Sequence, residues 1–181
     1  DINVTSDPKI VRQADKIVLP GVGAFADCKN SILNIPGMYD SLESSVIVKK
    51  VPFMGICVGM QLLAEQAEEF GNHEGFGWIQ GSVVKINEQK DYKIPHMGWN
   101  EVNFKKHELF SNIEQKSDFY FVHSYYFKTA NQDDTVAITK YPSEITAAVC
   151  KKNIFGTQFH PEKSHNNGAV IIQNFLQWNY S

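Results

Sequence analysis

Val51-Pro52-Phe53-Met54-Gly55-Ile56-Cys57-Val58-Gly59-Met60-Gln61 decides how this chain is read. Its first half is an apolar run and predicts a buried strand, with Pro52 near the start, where the ladder tolerates a missing N–H. Its second half opens a helical pattern. Met60, Leu63, Ala64 and Ala67 share one stripe, so a helix is predicted over Met60–Ala67. Cys57 stands between the two, flanked by Gly55 and Gly59. Glycines on both sides permit a sharp strand-to-helix turn that lifts a nucleophile above the sheet edge, as in G-x-S-x-G with sulfur for oxygen. Free helix N–H groups beside the sulfur predict a lowered pKa and a thiolate. The rival reading is a buried structural cysteine, the common fate of a free thiol.

Outward from this turn the same alternation continues. Asp7-Pro8 predicts a capped helix through Ala14, and Lys16–Leu19 a strand ending at Pro20-Gly21. Met38–Lys49 has helical spacing, and Cys28 lies in a helical stretch. Strand alternating with helix is the pattern of a parallel doubly wound sheet. The character changes from Trp78 to Phe159. Val83–Ile86, Asp118–Phe127, Val136–Thr139 and Thr146–Cys150 predict strands with short turns, and Asn166–Tyr180 an amphipathic closing helix. The expectation is one mixed α/β domain over residues 1–181 with an antiparallel β insertion.

Seventeen basic and twenty acidic residues give a net charge of −3 without a basic run, which argues against nucleic acid. Three cysteines, odd in number and irregularly spaced, fit a reduced, cytoplasmic protein.

A second motif, Gly156-Thr157-Gln158-Phe159-His160-Pro161-Glu162, supplies an imidazole and a carboxylate. On an extended segment His160 and Glu162 point the same way, so Glu162 can orient the ring and fix its tautomer. Together with Cys57 these are the parts of an acyl-transfer site. A metal site is the rival, because His165 is near. The spacing is not H-E-x-x-H, and Pro161 removes the helix that motif needs. His165, Lys163 and Ser164 read by default as solvated loop residues. Gly21-Val22-Gly23-Ala24-Phe25-Ala26 formally fits a dinucleotide fingerprint, but Asp40 and Glu43 fall in a helical segment rather than at a strand end. An oxyanion loop, where glycine lets a backbone N–H approach a reacting carbonyl, fits better.

The Cys57 and His160 motifs, with Pro20–Phe25, Pro95-His96-Met97-Gly98-Trp99-Asn100 and His123-Ser124-Tyr125, resemble the class I (triad) glutamine amidotransferases over essentially the whole chain. Within that family the Pro95–Asn100 string is similar to glutaminase subunits of imidazole glycerol phosphate synthases. The resemblance implies a flavodoxin-like, mixed and mainly parallel sheet flanked by helices. It implies hydrolysis of L-glutamine to glutamate and ammonia by Cys57, His160 and Glu162, with the N–H groups of Gly23 and Val58 as oxyanion hole. Gly21, Gln61, Glu69, Ser124 and Tyr125 would hold the substrate, and His123 would be structural. Met97, Trp99, Asn100, Tyr120 and Lys163 would face a partner, a (β/α)8-barrel cyclase subunit that receives the ammonia in histidine biosynthesis. No cofactor and no metal are implied. The family carries a further strand and helix before the position of Asp1, so the sheet is expected without them. Two alternatives remain. One is the glutaminase of another ammonia-dependent synthase, such as sugar amidation in surface-polysaccharide synthesis. The other is a non-catalytic binding module on the same fold.

Overall fold

The computed structural model describes residues 2–180. In chain order the elements are α1 (Pro8–Gln13), β1 (Ile17–Gly21), α2 (Phe25–Leu33), α3 (Met38–Glu43), β2 (Phe53–Cys57), α4 (Val58–Gln61), β3 (Gln66–Ala67) and β4 (His73–Glu74). There follow β5 (Gly81–Lys85), β6 (His96–Phe104), β7 (Ser117–His123), β8 (Tyr125–Thr129), β9 (Thr135–Lys140), β10 (Glu144–Lys151), β11 (Ile154–Thr157) and α5 (His165–Gln177). The capped first helix is present, with the Asp7 carboxylate accepting from the Lys9 N–H at 2.8 Å. A π-helical turn, Ser44–Val48, extends α3 over the predicted span.

A seven-stranded sheet has the order β1-β2-β11-β10-β9-β6-β7. Its parallel part is β1-β2-β11, and the remaining pairings are antiparallel. A second, four-stranded sheet runs β4-β3-β5-β8. This is the expected mixed α/β architecture, with the antiparallel segment continuing the parallel sheet. β2 is buried along its whole length, because strands flank both its edges and α4 lies across it. Phe53, Phe119, Phe121, Phe155 and Phe159 are all fully buried and join the two halves of the sheet into one core.

Two expectations are corrected. The helix predicted over Met60–Ala67 stops at Gln61. The carbonyls that would continue it are taken by a returning loop segment: Phe76 N–H donates to Leu62 at 2.7 Å, Ile79 to Leu63 at 3.0 Å and Gly77 to Ala64 at 3.0 Å. The apolar stripe is therefore buried, but not as helix. The single strand predicted over Asp118–Phe127 is two strands broken at Ser124. β7 pairs with β6 in the large sheet, whereas β8 pairs with β5 in the small one. Alternation alone does not register a change of partner. The Pro95–Asn100 string leads into the long strand β6, and β11 is a further strand beside β2; neither was expected.

Candidate active site

The turn at Cys57 is built by close backbone approach. A Cβ on Gly59 would sit 2.0 Å from the Leu19 carbonyl oxygen, so only glycine lets α4 pass so near β1. Cys57 itself adopts φ +54° and ψ −111°, a conformation that a residue with a side chain holds only under constraint. The sulfur is not lifted into solvent as expected: Cys57 is 5% exposed. The predicted thiolate is also corrected. Burial pushes the thiol up to about 11, against which the Val58 N–H bonded to the sulfur and the Gln158 amide pull it down. α4 is a single turn, so its dipole is too small to reverse the desolvation. Burial therefore favours the neutral thiol over the thiolate at rest.

The second motif brings an imidazole to the same cavity as Cys57. His160 is buried, and its Nδ1 lies 2.7 Å from Glu162 Oε1. Glu162 reaches it from a 3-10 turn, Pro161–Lys163, rather than from the extended segment expected. A carboxylate on Nδ1 places the ring proton there and leaves Nε2 with its lone pair. Nε2 is buried without a hydrogen-bond partner among the described residues. Ser164, expected as a solvated loop residue, is instead 1% exposed. Its hydroxyl donates to the His160 carbonyl at 2.6 Å and accepts the Tyr120 N–H at 3.0 Å. The His160 N–H donates to the Tyr120 carbonyl at 2.9 Å, so the histidine backbone is tied to β7 from both sides.

Cys57 and His160 line one cavity of about 250 Å³ with Gly23, Val58, Gln61, Glu69, Ser124 and Tyr125. Val22, Val122, His123 and Lys163 complete its wall. Gly21 does not line it; a Cβ there would lie 2.6 Å from the Gly59 nitrogen, so its part is to admit the turn. Gly23 has φ +89° and open space around its Cα, which leaves its peptide accessible from the cavity. Gln61 is buried, and its amide donates to the Tyr125 carbonyl at 2.9 Å and to Gln158 Oε1 at 3.2 Å. Glu69 Oε2 accepts the Phe25 N–H at 2.7 Å and so anchors the start of α2 behind the Gly23 loop.

Of the residues expected to face a partner, Met97 and Trp99 are exposed, at 62% and 47%. Trp99 stacks on His165 at 4.9 Å and meets Tyr120 edge-on at 6.0 Å, and Lys163 lies over the Tyr120 ring. Asn100 instead turns inward, its amide bonded to His96 and to the Lys140 carbonyl. His165, the third member of the rival metal reading, is thus part of this aromatic face. Among the described residues no three His, Cys, Asp or Glu side chains are grouped to hold a metal ion. No helix there is long and apolar enough to cross a membrane.

Sequence reading overlooked Gln158, whose amide lies 3.7 Å from the Cys57 sulfur, and Ser164. Gln158 stands within the His160 motif, two residues upstream of the histidine; its neighbourhood was the available signal. Ser164 had none, since its role comes from a contact with β7 far away in sequence.

The chain is similar to known proteins along most of its length. A profile described as glutamine amidotransferase class-I matches residues 2–178. The chain is 47% identical over 181 residues to a Rhodospirillum rubrum protein named imidazole glycerol phosphate synthase subunit HisH, covering 98% of this chain and 85% of that one. Proteins of the same name from Zymomonas mobilis and Pelagibacter ubique are each 46% identical, covering 97% of this chain and 82% and 86% of theirs. Among solved structures, a glutamine amidotransferase superposes with a TM-score of 0.72 at 13% identity, covering 96% of this chain and 83% of that one. The glutaminase domain of a Trypanosoma brucei CTPS with bound acivicin gives 0.61 at 18% identity, covering 96% and 75%. At those identities the superpositions speak for the fold alone, but the profile runs over nearly the whole chain and through both motifs of the cavity: this chain belongs to the class-I glutamine amidotransferase family.

Proposed function

We propose that the chain is the glutaminase subunit of an imidazole glycerol phosphate synthase, which hydrolyses L-glutamine and passes ammonia to a cyclase subunit in histidine biosynthesis. The observation that carries the chemistry is His160 Nε2, bare and buried in the cavity of Cys57 while Glu162 holds Nδ1. The relatives' names carry the pathway.

In this reading Cys57 gives its proton to His160 Nε2 as its sulfur attacks the carboxamide carbon of glutamine. The N–H groups of Gly23 and Val58 hold the resulting oxyanion. The tetrahedral intermediate collapses to a thioester, and His160 hands the proton to the leaving nitrogen, which departs as ammonia. A water then gives one proton to His160 and attacks the thioester. Glutamate leaves, and the proton returns to the sulfur. Gln61, Glu69, Ser124 and Tyr125 hold the amino-acid end of glutamine. Free ammonia would become ammonium in bulk water and lose its nucleophilicity, which favours a docked (β/α)8-barrel cyclase over release. The exposed Met97 and Trp99, with Tyr120 and Lys163, support a docking face there. The free thiols of Cys28, Cys57 and Cys150 accord with a cytoplasmic site of action.

The test is glutamate release from glutamine by this chain, measured alone and with the cyclase added. Release that Cys57→Ala abolishes, and that the cyclase increases, is expected. Release unaffected by Cys57→Ala would overturn the chemistry; release indifferent to the cyclase would overturn the pathway. A glutamine-like electrophile should label Cys57 alone, which separates an enzyme from a binding module.

A further inference from the structure

His96 and His123 lie opposite each other in the β6–β7 ladder, both buried, with His96 Nδ1 2.9 Å from His123 Nε2. The pair is one stage of a longer series. His123 Nδ1 lies 2.8 Å from the carbonyl oxygen of Tyr125, across the break at Ser124 where the chain changes sheets. A carbonyl only accepts, so the His123 proton sits on Nδ1 and its Nε2 accepts. His96 must then donate from Nδ1 and accept at Nε2. There the Asn100 amide donates, at 3.1 Å, while its second N–H goes to the Lys140 carbonyl and its oxygen accepts the Glu101 N–H at 2.9 Å. One tautomer of each ring satisfies all of these bonds in one direction. The His96 ring is further fixed between Tyr141, at 4.0 Å and 17°, and Phe121, at 4.8 Å and 22°.

The series begins and ends at informative places. It ends on the Tyr125 carbonyl, which also accepts the Gln61 amide and belongs to the cavity wall. It begins on β6, whose exposed Met97 and Trp99 alternate with His96 and Asn100. Neither imidazole has a part in the thioester chemistry proposed above. Burial, the leading cause for both, pushes His96 down to about 4 and His123 down to about 3, so both rings are neutral near pH 7.

We propose that His96 is a positioning residue that acts through His123 to hold the Ser124–Tyr125 wall in place for the substrate, tying that wall to the exposed face of β6. The proposal rests on the glutaminase reading for its substrate. It predicts a loss in glutamine binding rather than in chemistry, because the wall meets the amino-acid end and not the reacting carbon.

The experiment has two arms. Nitrogen-15 spectra of the imidazoles at neutral pH should show the proton on Nδ1 and a bare Nε2 in both His96 and His123; a proton on Nε2 of either ring overturns the relay. Steady-state glutamate release is then compared for His96→Leu and His96→Gln. His96→Leu removes donor and acceptor and should raise KM for glutamine about tenfold, with kcat within about twofold, as expected for leaving a buried polar partner unsatisfied. The side-chain amide of His96→Gln can donate to His123 and accept from Asn100, and should restore KM. An unchanged KM in His96→Leu, a fall confined to kcat, or no recovery in His96→Gln overturns the proposal. If the wild-type chain releases no glutamate, the glutaminase reading fails, while the spectra still decide the relay. The spectra also decide it if His96→Leu does not fold.

Discussion

At the scale of single residues, Cys57 is held at φ +54°, a conformation that costs a residue with a side chain about 1–3 kcal/mol. Glycine relieves that strain and alanine does not. Cys57→Gly should therefore unfold at higher denaturant than Cys57→Ala, by about 1 kcal/mol, with both inactive; thermal and urea melts check this. The thiol leaves a second signature. Its ordinary value of 9.0 is raised to about 11 by burial, and Cys150 is raised to about 12. As pH rises above 9.0 the unfolded chain gives up these protons while the folded one keeps them, so stability falls through about 11 and 12. Urea midpoints should decline over that range, and less in a Cys57→Ala, Cys150→Ala double variant. For the imidazole, His160→Ala should cost as much glutamate release as losing Cys57, since the members act as a unit. Glu162→Gln should be milder, because it orients the ring without taking a proton. Initial rates separate the two.

At the scale of elements, the strand-to-helix turn depends on contact more than on propensity. Gly59→Ala would place a Cβ 2.0 Å from the Leu19 carbonyl and should destabilise by about 4 kcal/mol or more. Gly37→Ala, at φ +76° but in open space, should lose only about 1 kcal/mol. Chemical denaturation of the two variants distinguishes crowding from backbone strain. The short α4 and the break at Ser124 share one cause. Each arises where backbone groups find partners far away in sequence, at Phe76–Ile79 for the first and at β5 for the second. The apolar stripe of Met60–Ala67 and the alternation of Asp118–Phe127 report burial correctly. They do not report which hydrogen bonds accompany it.

At the scale of the whole molecule, β6 has a wet apolar face and a wired inner face. Trp99→Ala should weaken docking of the cyclase by about 2 kcal/mol or more and leave the isolated fold intact, as a titration beside a melt would show. The inner face contributes to acid behaviour. His96 and His123 are lowered from 6.5 to about 4 and about 3, chiefly by burial. Folded values below the unfolded ones mean that this stability is complete above 6.5 and lost as pH falls through about 4 and then about 3. The urea midpoint should drop over that window, and less steeply in a His96→Gln, His123→Gln variant.

By itself the sequence determined the α/β class, the buried strand ahead of Cys57 and the residue types for cysteine-based acyl transfer. These rest on local facts: periodicity, glycine placement and the short spacing of His160 and Glu162. Tertiary structure alone decided that Cys57 is a buried thiol rather than an exposed thiolate, because desolvation depends on everything packed around the sulfur. It alone joined Ser164 to Tyr120, Gln158 to Cys57, and His96 through His123 to the cavity wall. Those bonds cross strands or loops whose pairing no local pattern encodes, so they exist only once the sheets have formed.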